Sequence, residues 1–200
     1  MEMTREHVEA VFAVLTGIGL SAACGFRIFL PLLALNLASI YGLVGLAPGF
    51  EWIGSYQVTI AFGLATALEI AAYYIPWLDN IMDSIASPVS VIAGTIATAS
   101  LITDMPPSLK WTISIIAGGG IAGLLQGATV ALRAKSTIFT AGLGNFIVAS
   151  FELLASAIVA FISLVLPIVA FILALLLVTY CLILARRVYM RKKRGGGEAA

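Results

Sequence analysis

"VEAVFAVLTGIGLSAACGFRIFLPLLALNLASIYGLVGL", residues 8 to 46, is apolar or small at almost every position. As a single helix it would run about 58 Å at 1.5 Å per residue, nearly twice the roughly 30 Å hydrocarbon core of a bilayer. Gly17, Gly19, Gly25 and Pro31 offer places to break it. The stretch therefore reads as two membrane segments meeting near Cys24 to Arg27, with a re-entrant pair as the alternative. The permanently charged guanidinium of Arg27 falls at that junction.

The rest of the chain has the same character. Apolar residues make up 61% of the 200 positions and charged ones 10%, against about 45–50% and 25% in an ordinary soluble domain. The apolar residues come in successive blocks of about 20, the length that spans a bilayer. Composition thus predicts an all-α, polytopic bundle of six or seven membrane segments, at least one broken or re-entrant. Residues 1–185 form a single membrane domain, and residues 186–200 a basic tail.

"APGFEWIGSYQ" (47–57) reads as a loop, and Val58 to Ile75 as a span containing Glu69. "PWLDNIMDSIASP" (76–88) puts Asp79 and Asp83 on one helical face, expected at the membrane surface, before a short span from Val89 to Thr103. The block from Trp111 to Leu132 carries Gly119, Gly123 and Gly127 at four-residue intervals, a spacing that lets helices pack closely in lipid. Arg133 and Lys135 read as a positive loop, and residues 137–185 as two spans turning near Pro167.

Arg186, Arg187, Arg191, Lys192, Lys193 and Arg194 crowd the C-terminal end. Positive loops stay inside, so the C-terminus is expected in the cytoplasm and the protein in the cell's inner membrane. If residues 8–46 make two passes, the N-terminus lies outside. If one half is only re-entrant, it lies inside.

Three ionisable residues sit deep within apolar blocks: Arg27, Glu69 and Glu152. Each costs at least about 2.5–3.5 kcal/mol at a membrane centre, so they are expected to face inward as a network, which Asn145 extends. Such a network is either a fixed latch between helices or part of a pathway for a small solute or ion. A weak match of "GIGLSAACGFR" (17–27) to "GLGNFIVASFE" (142–152) sets Arg27 opposite Glu152, as an inverted repeat would.

Asp79, Asn80 and Asp83 form a possible metal or surface site, since carboxylates four apart can share a divalent cation. An enzyme on lipid headgroups is the reading that would use them. Cys24, Cys181 and the single His7 make no zinc-type cluster, and no serine or cysteine has a histidine within the membrane to activate it. No cofactor is expected. The expected partners are membrane lipids, a small solute or ion and a second copy of the chain, with no nucleic acid.

The run into "GFRIFLPLLAL", "EIAAYYIPWLDNIMDSIASPVSVIAGT" (69–95), "AGGGIAGLLQG" and "GLGNFIVASFE" together span about residues 10 to 185. In that order they resemble the bacterial membrane family catalogued as domain of unknown function 4126. The resemblance implies a membrane fold, with Arg27, Glu69, Asp79, Asp83, Pro88, Asn145 and Glu152 at characteristic positions. It implies no activity. The chain departs from the expected pattern at Phe146, where a proline was anticipated, and at Leu153, where a second acid was.

Overall fold

The computed structural model describes residues 2–75, 78–103, 105–140 and 142–195, and among these there is no strand. The helices are α1 (Glu2–Cys24), α2 (Phe29–Ile40), α3 (Tyr56–Tyr73), α4 (Leu78–Ala99), α5 (Pro107–Ile113), α6 (Gly120–Thr140), α7 (Asn145–Val165) and α8 (Pro167–Gly195). A 3-10 turn, Glu51–Gly54, precedes α3, and a π-helical turn, Ser114–Gly119, joins α5 to α6. Stretches long and apolar enough to cross a bilayer occur in α1, α4, the unit from α5 to α6, α7 and α8. This is a multi-pass membrane protein.

The long apolar block breaks between Cys24 and Phe29. The N–H groups of Gly25, Phe26 and Arg27 turn back to the carbonyls of Ser21, Ala22 and Ala23, which closes α1. A Cβ on Gly25 would lie 2.6 Å from the Leu125 Cβ and 2.8 Å from the Ala122 carbonyl oxygen, so α6 crosses where only glycine leaves room. The 12 residues of α2 reach about 18 Å, too short to cross a bilayer.

The polarity of the packing is set by a few contacts. Gly17 lies against Thr98, and the Ser21 hydroxyl bonds both the Gly94 carbonyl and Thr98 Oγ1, so α1 and α4 are antiparallel. Asn36 bonds Thr59 while the N–H of Phe29 reaches Glu69, so α2 and α3 are antiparallel too. After α2, the Ala47 N–H donates to Ser100 O at 2.7 Å, just past the end of α4. The start of α1 and the end of α2 therefore lie at the same end of the bundle, as in a re-entrant pair.

Two expectations need correction. Residues 78–99 form one helix rather than a surface segment followed by a short span, and that helix continues through Pro88. Proline there removes one intrahelical bond, the one to the Ser84 carbonyl, and is tolerated where neighbouring helices hold the turn. Residues 133–135 do not form a loop, because α6 runs on to Thr140.

The core is small-residue packing at the crossing of α1, α4 and α6. A Cβ on Gly94 would sit 2.6 Å from the Ala122 Cβ and 2.9 Å from the Gly118 carbonyl oxygen. Gly119 and Gly123 face Val91 of α4, whereas nothing lies within 4 Å of a Cβ at Gly127. The proposed glycine seam is thus occupied at two of its three positions, with Gly118 at the closest approach. Residues 17–19 are helical while the aligned residues 142–144 form a turn with Gly142 at φ +92°, so the two glycines that the stretches share stand in different backbone settings.

Candidate functional site

Five acidic or basic side chains are buried among the described residues within the helical bundle: Arg27, Glu69, Asp83, Arg133 and Glu152. They come from five places in the chain: the α1–α2 break, α3, α4, α6 and α7. Arg133 is the hub. Its Nε donates to Glu152 Oε1 at 3.1 Å, its Nη2 to Glu152 Oε2, and its Nη1 to Asp83 Oδ1. A two-pronged guanidinium–carboxylate contact of this kind fixes geometry as well as charge.

Arg27 is only 1% exposed. Its Nη2 donates to the Ala149 carbonyl at 2.8 Å and lies 3.6 Å from Glu152 Oε2, so Glu152 answers both arginines. Its Nε and Nη1 have no hydrogen-bond acceptor among the described residues. What faces the guanidinium instead is the ring of Tyr73, 4.0 Å from its central carbon, and the Arg133 guanidinium lies 3.9 Å from the same ring centroid. One aromatic ring thus carries two cations, each contact worth about 0.5–2 kcal/mol depending on desolvation.

Glu69 is one of the two acids that the sequence offers as a partner for Arg27, and its hydrogen bonds go elsewhere. Oε1 accepts the Ile28 N–H at 2.9 Å and Oε2 the Phe29 N–H at 3.1 Å. These are first-turn donors of α2, whose own N-cap residue supplies no side-chain bond. A carboxylate at a helix N-terminus satisfies orphan donors and meets the positive end of the helix dipole.

Asn145 is buried at the start of α7, where its Nδ2 donates to Thr137 Oγ1 at 2.8 Å. Asp83 is buried and committed to Arg133, not at a surface. The side chains of Asp79 and Asn80 lie outside the described residues. No group of three or more histidine, cysteine, aspartate or glutamate side chains among the described residues is placed to hold a metal ion.

Sequence reasoning missed Arg133, Asp83 as its partner, and Tyr73. Arg133 looked like half of a basic loop because Lys135 stands beside it. The signal was present: Gln126, Thr129 and Arg133 recur at helical spacing on one face, and all three are buried.

Two cavities meet at the cluster. One, of about 540 Å³, lies between α3 and α4 and is walled by Phe29, Leu68, Glu69, Tyr73 and Ile85 among others. The other, of about 440 Å³, lies at the α6–α7 turn and is walled by Tyr73, Tyr74, Leu143, Asn145 and Phe146 among others. Tyr73 lines both.

The chain belongs to the family described as Domain of unknown function (DUF4126), which it matches over residues 14–187. No curated protein and no solved structure matches it.

Proposed function

We propose that this member of the family passes a small solute or ion across the cytoplasmic membrane, with Tyr73, Arg27, Arg133 and Glu152 as the gate. The observation that carries the reading is the placing of buried charge at a helix break. Broken helices in membranes are found where backbone lines a cavity or is buried in protein, and ionisable groups at such breaks mark substrate pathways. Tyr73 lines both cavities. Motion of its ring would join them, at the cost of two cation–π contacts.

The orientation proposed with it follows the basic C-terminal end. Arg186 and Arg187 are exposed on α8, and with the further basic residues to Arg194 they favour a cytoplasmic tail. A second reading rests on Arg133, whose bonds to both Asp83 and Glu152 would suit a permanent fastener between α4, α6 and α7.

Flux through purified protein in sealed liposomes decides between them. Wild type is compared with Glu152→Gln and Arg27→Gln for protons, monovalent ions and small organic solutes, with thermal unfolding measured alongside. Flux lost in a variant that remains folded supports the gate. Absence of flux for every solute, with both variants only less stable, leaves the fastener.

A further inference from the structure

The wall chemistry of the larger cavity points beyond that reading. Leu68, Ile75 and Ile85 line it and are also exposed on the outside of the bundle, so its mouth opens toward the lipid. Its volume, about 540 Å³, falls in the range of small-molecule sites, roughly 300–1,000 Å³. The walls are apolar and aromatic, and the charged side chain among them is Glu69.

Charge makes the same point. Among the described residues, the five buried acidic and basic side chains within the bundle are two arginines and three acids. Arg133 is bonded to Asp83 and Glu152, and Arg27 lies beside Glu152, which leaves Glu69, among the described residues, as the buried acid without a directly paired side-chain cation. Two backbone N–H groups answer it. Each carboxylate oxygen retains a further lone pair, and this acid is the one that lines the cavity.

We propose that the cavity between α3 and α4 binds a lipophilic monovalent cation that enters from the bilayer, its apolar body against Phe29, Leu68 and Ile85 and its positive centre at Glu69. An acyl chain would fill the same walls but bring no counter-charge to the acid, and an anionic amphiphile would meet Glu69 with like charge. An aromatic wall suits a diffuse cation as well, and Phe29 supplies one beside Glu69.

The test uses two probes of matched shape and opposite charge, tetraphenylphosphonium and tetraphenylborate, with the full chain in phosphatidylcholine nanodiscs and empty nanodiscs subtracted. Saturable binding of the phosphonium and none of the borate is expected. Binding should weaken about ten-fold or more in Glu69→Gln, the size of one modest charge contact, and similarly in Ala65→Phe, which fills the cavity and leaves Glu69 in place. Borate bound as well as phosphonium, phosphonium bound no better than by empty nanodiscs, or undiminished binding in either variant overturns the proposal. The comparison of probes on the wild type stands even if Glu69→Gln does not fold. Because no flux is read, the outcome is separate from that of the transport reading.

Discussion

Glu69 caps a helix to which it does not belong: its Oε2 takes the Phe29 N–H at 3.1 Å and its Oε1 the neighbouring Ile28 N–H at 2.9 Å. The contact ties α3 to the start of α2 at the break in the long apolar block. Removing an N-cap acceptor costs about 0.5–2 kcal/mol even where water can replace it. Here the site is buried, so Glu69→Ala should fall at or above the upper end, about 2 kcal/mol. Glu69→Gln keeps an acceptor oxygen and should lose about half as much. Thermal unfolding in nanodiscs checks the order, and equal losses would sink the capping account.

Arg133 is bonded to two acids at once, so its loss leaves both buried without their partner. Arg133→Gln should cost about 3–5 kcal/mol, the scale for breaking a buried ion pair from one side. Pairing it with Glu152→Gln should recover part of that, because one stranded carboxylate is then neutral. Strictly additive losses in the double-mutant cycle would mean that the two groups do not interact.

The glycines should separate cleanly. Gly94→Ala and Gly118→Ala drive a methyl group into the facing helix and should cost about 1–3 kcal/mol each. Gly127→Ala meets open space and gains helix propensity, so it should be neutral or stabilising by up to about 1 kcal/mol. Destabilisation by Gly127→Ala comparable to the other two would place a partner against that face.

Tyr73 can be tested as a partition without any flux assay. In a background of Cys24→Ala and Cys181→Ala, a cysteine at Ala86 on the wall of the larger cavity should resist a membrane-impermeant thiol reagent. Adding Tyr73→Ala should make it react, and adding Tyr73→Phe should not, since the ring remains. Equal labelling in all three would show that the ring separates nothing.

The same labelling reads the course of the chain. Cysteines at Glu9 and Leu43 should react from one side of the membrane and a cysteine at Leu143 from the other. The first two lie at the end of the bundle where α4 finishes, the third at the end where it begins. Labelling of Glu9 and Leu43 from opposite faces would refute the re-entrant course of α1 and α2.

Glycine and proline made the fold legible. Gly25 marks the break after α1 and Pro167 starts α8, because each residue dictates backbone geometry locally. Pro88 misled for the same reason: its local preference is against helix, and packing overrode it. The depth of Arg27, Glu69 and Glu152 was readable from their apolar surroundings, but their partners were not. Glu69 bonds backbone groups, which no residue pattern announces, and Arg133 was discounted because it borders polar sequence.

The π-helical turn at Ser114–Gly119 bears on where Arg133 points. Such a turn holds one residue more than a regular helix would, and one residue rotates everything beyond it by about 100° around the axis. Gly118 and Gly119, at its end, are already pressed against α4, so that face is set before Arg133 is reached. Deleting Ile116, which is exposed, would therefore rotate α5 relative to α6, while the glycine contacts keep Arg133 in line with Asp83 and Glu152. The aim of the charged hub is thus fixed by the close approach of two glycines to α4, about four turns before the arginine, so a bulkier residue at either can disarm it while every charged residue remains.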